Sequence, residues 1–187
     1  CTTATLMHNR PYVMNFFALK GIQAVTDYWD NHILTDSDLA AMIRENGGSI
    51  FEDSIEANVS TSLWVSDLPE ELTAYYGEDY AYAELLPAIV GGYRGGGGFG
   101  ASPGPDLYDF VNAEVDGSDM EYRIRSDYNS LMGYLYEYQH CIPANEWADS
   151  IGSSYRAQTY DLTGLDIAGA AATVTIPEGD NMTKGDG

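Results

Sequence analysis

The stretch "GGSIFEDSIEA", Gly47 to Ala57, decides how the rest of the chain is read. Two glycines break whatever precedes them, and Ser49-Ile50-Phe51 is a short β-forming run. The run delivers Glu52, Asp53, Ser54 and Glu56 into one turn, where like charges repel. Carboxylates crowd in this way on a solvated surface, around a metal, or in a site that needs one protonated acid.

Composition narrows those choices. With 187 residues and 44% hydrophobic content the chain is long enough to bury a core. Eight Lys and Arg stand against 29 Asp and Glu, a formal charge of −21. Such a surface repels phosphate backbones and anionic lipid, which argues against a nucleic-acid partner. It suits a secreted or salt-tolerant protein and supplies oxygen donors for a hard cation. No apolar run approaches the roughly 20 residues that span a bilayer, so no membrane insertion is expected. The chain starts at Cys1, read as an arbitrary start within a longer protein and not as a lipid anchor or nucleophile. Cys141 is the other cysteine; two such distant residues make neither a zinc motif nor a disulfide framework, and Cys141 reads as a buried free thiol.

Outward from Gly47 the chain alternates helix and strand. Upstream, "TDSDLAAMIRENGG" is a helix with Thr35 or Asp36 as N-cap, and Phe17, Ile22, Val25, Tyr28 and Trp29 recur at helical spacing. Downstream, "DLPEELTAYYGEDYAYAELLPAI" offers Asp67 as N-cap, Pro69 in the first turn and a break at Gly77. The Gly-rich stretch at about 91–106 has no periodicity and reads as a flexible insertion; no Gly-Lys-Ser/Thr follows it, so it is not a phosphate loop. From Ser126 to Ser150 the spacing predicts one long helix kinked at Pro143. "SYRAQTY" is a second strand, "LTGLDIAGAA" a short helix and "ATVTIPEGD" a third strand.

Alternating helices and strands define an α/β chain of about three parallel βα units. Each strand ends in polar residues: Glu52, Asp53 and Glu56; then Arg156, Gln158 and Tyr160; then Glu178 and Asp180. In a parallel β/α barrel the C-terminal strand ends share the face that carries active sites, so these groups are expected to converge. Three strands cannot close a barrel. The 187 residues therefore read as a partial (β/α)8 TIM-barrel segment of one catalytic domain.

The segments "YWDNHILTDSDLAAMIRENGGSIFEDSIEA", "LWVSDLPEELTAYYG", "LLPAI", "RSDYNSLMGYLYEYQHCIPANEWADSIG", "YRAQTYD" and "VTIPEGD", taken in order, resemble the α-L-rhamnosidase-like glycoside hydrolases of family 106. The resemblance runs from about Asn15 to Asp180. It implies a multidomain enzyme with a (β/α)8 barrel, inverting cleavage of terminal α-L-rhamnosides in plant or microbial polysaccharides, an active-site Ca²⁺, and a secreted or periplasmic location. The final motif reads Pro177-Glu178-Gly179-Asp180, where many relatives have Glu in the last place.

Inverting hydrolysis needs an acid to protonate the leaving oxygen and a carboxylate to activate water, roughly 6.5–9.5 Å apart. Glu56 is assigned as general acid and Glu178 as general base, with Glu52 and Asp53 as rivals for the acid. Asp53, Trp64, Arg156, Gln158 and Tyr160 are the candidate sugar contacts. Trp64 is equally a packing residue under the next helix, and Arg156 equally a structural partner of Asp53 or Glu178. Arg156 and Gln158 alternate along a strand and so share a side, towards the barrel centre or the helices. His8, His32 and His140 have no metal-ligand spacing and read as surface or ordinary packing. The competing class is a non-catalytic carbohydrate-binding or structural relative, which would not need Glu56 and Glu178 together.

Overall fold

The computed structural model describes residues 14–55, 65–80, 120–159 and 167–179. Their helices are α1 (Leu19–Tyr28), α2 (Ser37–Asn46), α3 (Leu68–Tyr76), α4 (Met120–Tyr136), α5 (Ile142–Ser150) and α6 (Ile167–Thr173), and their strands β1 (Ser49–Glu52), β2 (Ser154–Gln158) and β3 (Ile176–Glu178). A π turn, Trp29–Ile33, continues α1, and a second one, Glu137–Cys141, joins α4 to α5.

The three strands form one parallel sheet in the order β1-β2-β3. Ser49 to Glu52 pair with Ser154 to Ala157, and Arg156 to Gln158 pair with Ile176 to Glu178. Parallel neighbours cannot be joined by a tight turn, which is why long crossovers with helical content separate them. Pro177, which has no N–H to donate, lies in β3, at an edge of this sheet. The α/β class is as expected. Among the described residues the sheet has three strands and does not close.

Local chemistry explains several element ends. The Asp36 carboxylate accepts hydrogen bonds from the Asp38 and Leu39 N–H groups at 2.9 and 3.2 Å, capping α2. Gly152 ends the turn after α5 with φ +75, and a Cβ there would lie 3.1 Å from the Arg44 Cα, so both conformation and space call for glycine. At Gly21 the reason is contact alone: a Cβ would fall 2.0 Å from the Asn15 carbonyl oxygen.

The expected long helix is interrupted, and the interruption precedes the proline. The backbone stays helical through the junction, so Pro143 has no N–H to return to the preceding turn, and the π turn Glu137–Cys141 directly before it absorbs the change of pitch. Adjacent residues His140 and Cys141 are both fully buried there.

Leu131, Met132, Leu135 and Tyr136 of α4 share one buried core cluster with Leu68 and Leu72 of α3, Phe17, Ile22 of α1, and Tyr155 and Ala157 of β2. Two hydrogen bonds tie α3 and the turn after it to α4: Tyr76 donates to the Asp127 carbonyl at 2.7 Å and Tyr80 to its carboxylate at 3.0 Å. Across the molecule, Trp147 Nε1 donates to Asp30 at 3.1 Å and its ring meets Trp29 edge-on at 5.8 Å, holding α5 against the end of α1. Among the described residues no helix is long and apolar enough to cross a membrane.

Leu131 is fully buried and Leu39 is 38% exposed. Leu131→Ala is expected to cost about 2–5 kcal/mol, the usual penalty of a core cavity, and Leu39→Ala less than about 1 kcal/mol. Urea unfolding of the two variants checks the difference; equal losses would contradict this packing.

Candidate functional site

Alternation along β2 sorts its side chains onto two faces. Tyr155 and Ala157 are buried on the side that α5 covers, whereas Arg156 and Gln158 lie on the other side, half-buried. The register carries this sorting to the neighbours: Phe51 and Ile176 flank Arg156, and Glu178 is level with Gln158. Phe51 and Ile176 are exposed. The face that no described helix covers is thus a row of mixed chemistry at the C-terminal ends of parallel strands.

Arg156 is the centre of that row. Its guanidinium stands 4.6 Å from the Phe51 ring centroid, and its Nε lies 3.1 Å from Glu178 Oε1. The contact with Glu178 is an ion pair without hydrogen-bond alignment, since the buried Nε meets no acceptor in hydrogen-bond geometry. Both side chains are about one-third exposed, which keeps such a pair worth no more than about 1 kcal/mol and leaves both groups able to meet a polar ligand.

The structure therefore gathers Arg156, Gln158 and Glu178 on one face, as the strand pattern implied, and among the described residues that face is the one away from the helices. Asp53 follows β1 directly and is exposed, its Oδ1 accepting from the Ser54 N–H at 2.8 Å. Glu56, Trp64 and Tyr160 lie outside the described residues, as do His8, Asp180 and the Gly-rich stretch.

One expected convergence fails. Glu52, a rival for the acid, does not join the row. It alternates with Ile50 and turns to the helix side, where its two oxygens accept from His140 Nε2 at 2.8 and 2.9 Å. His140, read from sequence as surface or plain packing, is a buried polar partner with 0% exposure. The Phe16 ring meets it edge-on at 5.0 Å and Tyr136 stacks on it at 5.5 Å. A signal for this pair was present: once Ile50 faces the core, a period of two places Glu52 there as well, and a buried carboxylate needs a donor.

Burial also sets the protonation of the groups around Glu52. The Tyr155 hydroxyl lies 3.4 Å from His140 Nε2, and burial, then the Glu52 charge, hold this phenol well above the ordinary tyrosine range. The Cys141 thiol is pushed up to about 12, first by burial, with Glu52 adding to it. Both stay protonated and unreactive at neutral pH, so Cys141 is the buried free thiol the sequence suggested and not a nucleophile.

Among the described residues no three His, Cys, Asp or Glu side chains gather as a metal site. Glu56 and Asp180, the remaining acids of the strand ends, lie outside them. Comparison of the chain with protein-family models, with curated proteins and with solved structures found no match.

The raised thiol gives a pH dependence of known sign. Folding favours the protonated Cys141, so its contribution is full below the ordinary value of 9.0 and is lost as pH rises towards about 12. The melting temperature is expected to fall across that window, and Cys141→Ser to flatten the fall. An unchanged slope in the variant would contradict the burial of this thiol.

Proposed function

We propose that the chain is a segment of the catalytic β/α barrel of a glycoside hydrolase that cleaves terminal α-L-rhamnosidic bonds with inversion. The observation that carries the reading is the row at the C-terminal ends of the parallel strands: Arg156, Gln158 and Glu178 share the face opposite the helices. In a β/α barrel that face is the interior, and its C-terminal end is where substrates bind. The rhamnosyl preference, a polysaccharide substrate and a secreted or periplasmic site of action rest on the family resemblance.

In this mechanism Glu178 activates water as general base, and Arg156 and Gln158 donate hydrogen bonds to sugar hydroxyls. The acid falls to Glu56, with Asp53 as its rival, because the Glu52 carboxylate is committed to His140 on the opposite face. Trp64 and Tyr160 complete the sugar contacts in this reading. Calcium belongs to it through the resemblance only, and no step is assigned to the ion.

A second reading has one observation in its favour. A carboxylate already paired with an arginine is what a non-catalytic carbohydrate-binding relative would also keep.

Glu178→Gln and Glu56→Gln in the full-length protein separate the two. Glu178→Gln is expected to lower turnover of every rhamnoside by about 10²–10⁴-fold, the usual worth of a general base. Glu56→Gln should spare an activated aryl rhamnoside, whose leaving group hardly needs a proton, and impair a natural disaccharide. Undiminished hydrolysis in Glu178→Gln would overturn the mechanism, and equal losses on both substrates in Glu56→Gln would move the acid to Asp53.

A further inference from the structure

His140 is a fully buried ionisable side chain that the proposed chemistry does not use. We infer that it is a positioning residue: by holding the Glu52 carboxylate on the helix side, it fixes the end of β1 and the direction in which the acidic turn leaves the sheet. For its effect on turnover the inference rests on the glycosidase reading; the anchoring itself does not.

The argument starts from where Glu52 sits. It is the last residue of β1, and within the described sheet β1 pairs with β2 alone, so its end is restrained on one side by backbone hydrogen bonds. The next buried residue is Ile55, at 4% exposure. Between these anchors Asp53 is exposed and Ser54 half-buried. Rotation of the strand about its axis at Glu52 would therefore swing Asp53, the exposed acid that stands between the two anchors.

The contact is built to prevent that rotation. One imidazole nitrogen meets both carboxylate oxygens, at 2.8 and 2.9 Å, and the ring is held between Phe16 and Tyr136. The ring sits in the π turn before α5, a helix that also packs on β2, so the anchor belongs to the rigid layer under the sheet. Without His140 the 16%-exposed carboxylate keeps only the Tyr155 hydroxyl as a buried donor and is driven towards water. A shift of about 1 Å in a reacting group costs as much as 10²-fold in rate. Substrate affinity should change less, because Arg156, Gln158 and Glu178 stand on β2 and β3 and face away from this pair.

In the full-length protein, His140→Leu is expected to lower kcat on a natural rhamnoside by about 10- to 100-fold with KM within about threefold. His140→Gln, which keeps an N–H donor, should restore most of the loss. Glu52→Ala leaves no stranded carboxylate and should lower kcat like His140→Leu, which keeps the test open if the leucine variant does not fold. Amide exchange at Phe51 to Ser54 should speed up in His140→Leu and Glu52→Ala while the β2 amides hold. Normal kcat and unchanged exchange in the folded variants, or equal damage from Leu and Gln, would overturn the inference. If the wild-type protein cleaves no rhamnoside, the glycosidase reading fails by itself, and amide exchange still decides whether His140 anchors the strand end.

Discussion

A carboxylate at the end of β1 and an imidazole 88 residues later in the chain meet on the helix side of the sheet, and the placement of the β1 end depends on that meeting. The helix layer touches the strands at two kinds of contact. Apolar ones, through Tyr155 and Ala157, are non-directional and fix only which face is inside. The Glu52–His140 contact is directional and charge-assisted, so it also fixes rotation and register. Its cost if broken is high for the same reason: a carboxylate with little access to water loses the closer of its two buried donors, His140 and Tyr155.

The sheet separates two kinds of chemistry by parity. Odd and even positions along a strand point to opposite faces, so one shift of a residue exchanges them wholesale. On the helix side Glu52, His140, Tyr155 and Cys141 lie close together, and burial keeps the phenol and the thiol protonated. On the other side Phe51, Arg156, Gln158 and Glu178 stay within reach of water and of a ligand. The first set holds the strands; the second is available for binding and catalysis. A carboxylate therefore has its role set by parity more than by its place in a charged cluster, and this is why Glu52 and Asp53, adjacent in sequence, fare differently.

The elements were legible where local chemistry decides them. Asp36 caps its helix as its sequence context demands, the Gly47-Gly48 pair stands between α2 and β1, and the runs at Ser49 and Ser154 are strands because they are short, β-forming and bounded by turn formers, whereas the third strand, read from Ala172, starts only at Ile176 because Ala172 and Thr173 still belong to α6. The grouping of Arg156 and Gln158 on one side followed from period two. Three features escaped because they depend on packing. The spacing from Ser126 to Ser150 carries no mark of a π turn, since the apolar stripe continues through it. Which side of β2 meets the helices was open, because Tyr155 and Ala157 are no more apolar than many exposed pairs. His140 was unreadable until Glu52 was known to face inward. Glu56, Trp64 and Tyr160 lie outside the described residues.

The central claim is that His140 holds the end of β1 through a fixed hydrogen bond to Glu52. An ionised carboxylate only accepts, so the proton must sit on the imidazole nitrogen facing it, Nε2. Long-range proton–nitrogen correlation spectra of the histidine rings near neutral pH test this directly. The account predicts a protonated Nε2 on His140 whose proton exchanges slowly with water and disappears as a resolved signal in Glu52→Ala. A ring carrying its proton on Nδ1 alone, or an Nε2 proton in fast exchange with solvent, would contradict it.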